Sequence, residues 1–146
     1  MKTAKWLESI TPSPTMAVNQ KVIQLKAQGK KIISLVVGEP DFDTPKPIKD
    51  AVSAALDKNL KRYSETEGVK AFREAVCMKL KRDNGLNYDP SQIIVTCGAK
   101  QAISTALDVL LDAGQEVLIP SPYWVSYPDM VKLARGVPVF IPTNEK

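Results

Sequence analysis

The sequence contains 146 residues, of which 44% are apolar and 25% charged, values that fit a folded domain with a sizeable core. Lysine and arginine outnumber aspartate and glutamate by 20 to 16, but the two signs alternate along the chain, so a nucleic-acid-binding surface is not predicted. Because the sequence has no histidine, Ser-His and Cys-His catalysis are excluded and a zinc site is not expected.

The cysteines and the apolar segments bear on the cellular compartment. Cys77 and Cys97 have neither the number nor the spacing of a disulfide framework, so both are predicted to be buried, reduced thiols that bind no metal. No apolar run reaches the roughly 18 residues that a membrane span requires, and no signal-peptide core follows the first residues. We therefore expect a cytoplasmic protein that binds neither a membrane nor nucleic acid.

The first predicted elements are an arm and a helix. Two prolines near the end of residues 5–14 oppose helix formation and favour an extended arm. Thr15 is the predicted N-cap of a helix over residues 15–28, because its hydroxyl can accept a hydrogen bond from the first turn. Gly29 fits the C′ position, where a left-handed backbone ends many helices.

A strand over residues 31–37 is predicted next, and it ends at Gly38. Its continuous apolar character predicts burial on both faces. The acidic loop Gly38–Pro45 is bounded by proline, and it fits either a plain crossover between two structural units or a binding loop. Because a glycine lets a ligand approach the backbone closely, Gly38 is a candidate binding residue.

Two amphipathic helices follow, over residues 48–60 and 69–84, with a loop at residues 61–68 between them. Asn84-Gly85 is the predicted end of the second helix. A single tyrosine in a loop, such as Tyr63, is more typical of a surface anchor than of a ligand-binding group. The predicted buried stripe of the first helix comprises Ile48, Val52, Ala55, Leu56 and Leu60.

The segment Ile93–Tyr127 carries the strongest functional signal. Its β-branched start, Ile93–Val95, predicts a strand that leads through Gly98 into a helix, which is apolar on nearly all sides and should be covered on more than one face. A glycine before a helix start leaves the first backbone N–H groups open to an anion, so Gly98, Ala99 and Lys100 form a candidate phosphate-binding site. An ordinary tight junction between a strand and a helix explains the same residues equally well.

Farther along, a strand over residues 116–119 ends in a proline-rich turn that carries Trp124. Ligands bind at the carboxyl ends of strands in open α/β sheets, so this indole could stack on a flat ligand, although an isolated tryptophan is more often a core residue. A helix over residues 128–134 and an irregular or edge strand over residues 137–141 complete the pattern of a parallel α/β fold.

Three motifs, in this order, resemble those of class I aminotransferases. They are GEPDFDTP at Gly38–Pro45, VTCGAKQA at Val95–Ala102 and IPSPYWVSYPDMV at Ile119–Val131. The chain is similar to the N-terminal part of bacterial aspartate aminotransferases, in the fold-type-I superfamily of pyridoxal-phosphate-dependent enzymes. The resemblance implies that residues 1–45 contribute an arm, helix and strand to a small domain, and that residues 46–146 are the incomplete first part of a three-layer α/β/α large domain.

The resemblance also implies roles for the candidate residues. The turn Gly98–Lys100 would bind the phosphate of pyridoxal 5′-phosphate, and Trp124 would stack on the pyridine ring and touch the substrate. Tyr63 would reach the cofactor phosphate of the other subunit in a homodimer of the full-length protein. Gly38 would offer its backbone to the α-carboxylate of the substrate.

Transamination is the activity that the resemblance implies. The amino group of an L-amino acid, with aspartate favoured, would pass through pyridoxal phosphate to a 2-oxo acid such as 2-oxoglutarate. In the family the imine-forming lysine lies later in the sequence, so Lys100 is rejected for that role and no catalytic residue is assigned in this chain. We therefore expect an N-terminal fragment that is inactive alone. Thr11 stands where relatives that also accept prephenate tend to have a basic residue, which argues against that additional activity.

Two other functions remain open. A nucleotide-binding α/β domain could use the same anion site, although the sequence lacks the GxGxxG signature. A non-enzymatic, aminotransferase-like regulatory domain would be attached to a DNA-binding module, and none is visible in this sequence.

Overall fold

The computed structural model describes residues 2–58 and 63–144. Its residues group into two compact units, which we call the terminal unit (Met1–Glu39 with Lys100–Lys146) and the central unit (Pro40–Ala99). The predicted domain boundary concerns the small and large domains of a longer enzyme, and it stays a prediction.

The terminal unit starts with the arm and helix α1. Within the predicted arm, Lys5–Ser9 forms a short 3-10 helix. Helix α1 spans Pro14–Ala27, and its N-cap is Ser13, whose hydroxyl accepts from a backbone N–H of the first turn. The prediction of Thr15 as the cap is wrong because Pro14 occupies the first helical turn, where its fixed φ and missing N–H are tolerated, so the helix starts earlier.

A parallel strand pair with a crossover helix follows near the end of this unit. Strand β1 spans Glu116–Ser121, helix α5 spans Tyr127–Leu133 and strand β2 spans Val137–Pro142. The strands pair in parallel from Glu116 opposite Val137 to Ser121 opposite Pro142. The predicted α/β fold is confirmed, and each of these elements agrees with its predicted bounds to within two residues.

The buried side chains of the terminal unit lie where α5 and the residue after it meet the strand pair. Ile119 of β1 is 5% exposed, while Met130 and Val131 of α5 are 4% and 2% exposed. Ala134 follows the helix and is 9% exposed. A Cβ on Gly136 would lie only 3.0 Å from side-chain atoms of Leu111 and Val131, so the short connection into β2 packs directly on this core.

Helix α4 spans Gly98–Leu110 and is less covered than its sequence predicts. Ile103 and Leu107 are half-buried, whereas Val109 is 79% exposed and Leu110 is 75% exposed. The described residues do not supply the expected cover on more than one face, because only one side of the helix packs on its own unit.

The central unit contains two helices and a short turn. Helix α2 spans Lys46–Asp57, helix α3 spans Lys70–Asn84, and Pro90–Gln92 forms one turn of 3-10 helix. Gly85 ends α3 with a φ of 68°, as predicted. Within the described ranges, no helix combines the length and the apolar character that crossing a membrane requires.

The predicted buried stripe of α2 is exposed instead. Ile48 is 53% exposed, and Val52 and Leu56 are each 55% exposed, while Ala55 is half-buried. Leu60 lies outside the described residues. An amphipathic pattern shows which face of a helix can be buried, but it does not supply the surface that buries it.

Two predicted strands are absent from the described structure. Residues 31–37 and 93–95 are irregular segments without strand pairing, and Ile33 and Leu35 are 94% and 95% exposed. The Val95 N–H donates at 2.9 Å to a loop carbonyl rather than to a neighbouring strand. A β-branched run becomes a strand only where a second strand accepts and donates its ladder hydrogen bonds.

Val131→Ala should lower the free energy of unfolding of the terminal unit by about 2 kcal/mol, since it removes buried methyl groups and leaves a cavity. Val109→Ala is the matched control, because it is the same change at an exposed helical position and should cost less than about 0.5 kcal/mol. Denaturant unfolding followed by circular dichroism measures both changes. Equal losses in the two variants would contradict the assignment of the core.

Candidate functional site

The start of helix α4 is a compact turn around Gly98, in the central unit. Gly98 has a φ of 77°, in the left-handed region that favours glycine. Its N–H donates to the Thr96 carbonyl at 2.9 Å, and the Thr96 hydroxyl donates back to the Gly98 carbonyl at 3.1 Å. A Cβ at Gly98 would meet no atom within 4 Å, so the space beside this glycine is open.

Ala99 and Lys100 continue the first turn of α4. Amides in the first turn of an α-helix have no acceptor inside the helix, and the helix dipole places partial positive charge there. The open glycine and the following amides therefore form a backbone surface to which an anion can bind.

Lys100 and Trp124 lie together in the terminal unit. The Lys100 ammonium is 4.9 Å from the centroid of the Trp124 ring, a cation–π contact. The rings of Trp124 and Tyr127, at the start of α5, form a T-shaped pair with their centroids 5.5 Å apart and their planes at 90°. The indole is 43% exposed, so it is held in place while part of its surface remains open.

A cleft of about 480 Å³ lies beside the indole in the terminal unit. Apolar residues of α4, β1 and α5 line most of it, and Tyr123 and Trp124 lie on its wall. Tyr123 stacks on Phe140 of β2, with the ring centroids 5.0 Å apart and the planes at 13°, which supports this wall from the strand pair. The cleft can hold apolar or aromatic groups, and the ammonium of Lys100 supplies a positive charge next to the indole.

The structure does not bring all the predicted site residues together. It brings Lys100 into contact with Trp124. Gly38 is exposed on an irregular segment of the terminal unit, and a Cβ on it would meet no atom within 4 Å. Tyr63 is fully exposed in the central unit. The cofactor and substrate roles of these residues stay predictions.

Arg73 is a buried residue that the sequence analysis missed. Its guanidinium is held inside the central unit by Gly68, Pro90 and Glu65, and the residue is only 9% exposed. A signal was present, since Arg73 follows Val69 by four residues and therefore lies on the apolar side of α3. A charged residue at such a position indicates a buried polar network.

The cysteines differ from their predicted burial. Cys97 is exposed and Cys77 is half-buried. Cys97 immediately precedes the start of α4. In the parts of the chain that the structure describes, no group of three histidine, cysteine, aspartate or glutamate side chains is arranged to hold a metal ion.

Comparisons with known proteins agree on one family. The aspartate aminotransferase of Geobacillus stearothermophilus is 50% identical over 141 residues, which are 97% of this chain and 36% of the relative. The aspartate/prephenate aminotransferase of Nitrosomonas europaea is 47% identical over 144 residues, 99% of this chain and 36% of the relative. This chain thus spans little more than a third of the length of these relatives.

Solved structures and a family profile extend the match. An aspartate aminotransferase from Thermus thermophilus, solved with maleate, superposes with a TM-score of 0.94 at 42% identity, covering 99% of this chain and 38% of that one. The profile of the family "Aminotransferase class I and II" matches residues 30–146. The chain therefore belongs to the class I and II aminotransferases.

Proposed function

We propose that this chain supplies the N-terminal part of a pyridoxal-phosphate-dependent aspartate aminotransferase. The observation that carries the proposal is the position of the Lys100 ammonium, in the first turn of α4, over the half-exposed ring of Trp124. A cation beside helix-start amides suits a phosphate, and an indole suits a flat heterocycle. Family membership and the aspartate aminotransferase names of the relatives support the same reaction.

The residues present fit both the phosphate and the pyridine ring of pyridoxal phosphate. The open space beside Gly98 lets phosphate oxygens approach the backbone, where a side chain would fill that space. The flexible Lys100 side chain carries an ammonium that can pair with the same phosphate. The face of Trp124 offers a stacking surface to the pyridine ring.

These residues bind and orient, and none in this chain is assigned a role in bond breaking. Pyridoxal phosphate, when bound, supplies an electron sink for reactions at the α-carbon of an amino acid. The Gly98–Lys100 turn would hold the phosphate by charge-assisted hydrogen bonds. Trp124 would stack on the pyridine ring and exclude water from that face.

Substrate and partner contacts come from two loops in this proposal. The Gly38 backbone receives the α-carboxylate of the amino acid or 2-oxo acid, and aspartate and 2-oxoglutarate form the favoured pair. Tyr63 extends to the cofactor phosphate of a second subunit in a homodimer. The Tyr63 side chain is fully exposed in its own unit, which leaves its surface available for such a contact. We place the reaction in the cytoplasm.

A joined protein tests this function. It consists of this chain followed by the portion of the Geobacillus stearothermophilus relative that lies beyond the matched segment. We expect it to become yellow with pyridoxal phosphate and to transfer the amino group of aspartate to 2-oxoglutarate, while the 146-residue chain alone does neither. Absorption spectra and a coupled assay measure both properties.

The Geobacillus portion expressed alone is the control for activity that does not need this chain. A folded joined protein with no change in absorbance would contradict the proposal. Thermal stabilisation of the joined protein by nucleotides, without stabilisation by pyridoxal phosphate, would instead support a nucleotide-binding domain.

Gly98→Ala should weaken pyridoxal phosphate binding by the joined protein by about tenfold or more, the equivalent of one lost charge-assisted hydrogen bond. Gly85→Ala is the matched control, because Gly85 also has a positive φ, of 68°, and open space around its Cα, but lies at the end of α3. Both changes should cost about 1 kcal/mol of stability through backbone strain. Equal cofactor affinity in the two variants would contradict the phosphate role of Gly98.

A further inference from the structure

We propose that Arg73 is a positioning residue that ties the loop carrying Tyr63 to the backbone leading into Gly98. It thereby sets the geometry of the phosphate contacts that one subunit gives to its own site and to its partner's site. This inference rests on the proposed function. It concerns a residue that contacts neither cofactor nor substrate, and all the contacts it uses lie within the central unit.

The burial of Arg73 demands a specific set of partners. It is the one charged side chain among the described residues that is buried, at 9% exposure. Its Nε donates to the Gly68 carbonyl at 3.0 Å, and one terminal nitrogen donates to the Pro90 carbonyl at 2.8 Å. The other terminal nitrogen pairs with the Glu65 carboxylate. A guanidinium removed from water is tolerated only when its donors are satisfied in this way.

Two of these partners are the two ends of one turn. The Gly68 N–H donates to the Glu65 carbonyl at 2.9 Å, which closes the turn between them. Arg73 binds the carboxylate of Glu65, the first residue of the turn, and the carbonyl of Gly68, the last. Tyr63 lies two residues before Glu65 and is fully exposed, so its own ring does not fix the loop. Arg73 is therefore the anchor from which the position of Tyr63 is set.

The same turn contacts the backbone that leads to Gly98. The Val95 N–H donates to the Glu67 carbonyl at 2.9 Å. A Cβ on Gly68, whose φ is 99°, would lie 2.6 Å from the Val95 side chain, so the close approach requires glycine. Val95 precedes Gly98 by three residues. Displacement of the turn would consequently move the start of α4.

The third acceptor of Arg73, the Pro90 carbonyl, belongs to the 3-10 turn Pro90–Gln92, which is capped by Asp89. The Asp89 carboxylate accepts from the Ser91 hydroxyl at 2.6 Å and from the Ser91 N–H at 2.9 Å. The Asp89 N–H donates in return to the Gln92 side chain at 2.9 Å. The Ser91 hydroxyl, followed by its N–H, lowers the pKa of Asp89, so the cap is formed with the carboxylate ionised. Arg73 thus reaches a fixed acceptor rather than a loose loop end.

Lysine cannot replace this guanidinium. A lysine keeps the charge, but a single ammonium nitrogen cannot direct donors at three acceptors spread around a planar fork. Arg73→Lys should therefore loosen the turn while leaving the net charge of the protein unchanged. Arg82→Lys is the matched control, because Arg82 lies on the same helix, is exposed and pairs with the neighbouring Asp83.

The joined protein provides the test, with binding of pyridoxal phosphate compared with binding of pyridoxal, which lacks the phosphate. We expect Arg73→Lys to weaken pyridoxal phosphate binding by about tenfold and to leave pyridoxal binding unchanged, whereas Arg82→Lys changes neither. Equal weakening of both ligands, or weakening of neither, would overturn the inference and leave Arg73 a structural residue. If Arg73→Lys does not fold, Glu65→Gln, at a half-exposed position, carries the same comparison.

A double-mutant cycle with Tyr63→Phe separates positioning from general loosening. If Arg73 acts through Tyr63, the losses in pyridoxal phosphate affinity caused by Arg73→Lys and by Tyr63→Phe should not add. Arg73→Lys should then lower the affinity clearly less in a protein that already carries Tyr63→Phe. Additive losses would overturn the link to Tyr63. If the unmutated joined protein binds no pyridoxal phosphate, the proposed function itself fails. If the unmutated joined protein binds pyridoxal phosphate but the Arg73 and Tyr63 variants do not show the expected losses, only the inference about Arg73 fails.

Discussion

The apolar contact between α5 and the parallel pair of β1 and β2 is the interaction on which the terminal unit depends. Val131 and Met130 of α5 are buried against Ile119 of β1. A crossover connection between parallel strands of one sheet is almost always right-handed. Because α5 follows directly on the turn that leaves β1, the same packing places the Tyr127 ring in T-shaped contact with the Trp124 ring. The orientation of the indole is thus a consequence of how the core is built.

The central unit is organised by a polar interaction instead. Its buried side chain is the guanidinium of Arg73, and the apolar residues of α2 remain about half exposed. The Arg73 guanidinium is buried whereas the Glu65 side chain is half exposed, and desolvation of the cation offsets much of their attraction. Loss of the guanidinium, however, would leave several acceptors without their donor at once. Such a network specifies one arrangement of loops, which is what binding a small ligand through backbone atoms requires.

The sequence predicted the elements whose signals are local. The end of α3 at Gly85 and the strand–helix–strand order of β1, α5 and β2 were predictable because a left-handed glycine and a change of apolar period act within a few residues. The helix start at Ser13 was missed because the prediction placed the cap at Thr15, whereas Pro14 fits the first helical turn and moves the start forward to Ser13.

The errors concern properties that depend on distant surfaces. An apolar run such as residues 31–37 predicts a capacity for burial, whereas a strand needs a second strand to bond with, and that partner cannot be read from the run itself. Arg73 was missed for a related reason. Its position on the apolar side of α3 is a signal that it is buried, but two of its three acceptors are backbone carbonyls, which every sequence contains, so the sequence does not show which groups it binds.

The elements proposed to bind phosphate are built from short-range contacts, which explains why they are formed while the apolar helices stay exposed. Gly98 is set by its own φ and by Thr96, two residues away, and the turn before α3 is set by Arg73, five residues beyond Gly68. Contacts of this kind cost little loop entropy. Covering Val109 or Leu35, in contrast, needs a large apolar surface. The backbone proposed to bind an anion therefore depends less on long-range packing than the burial of the apolar helix faces does.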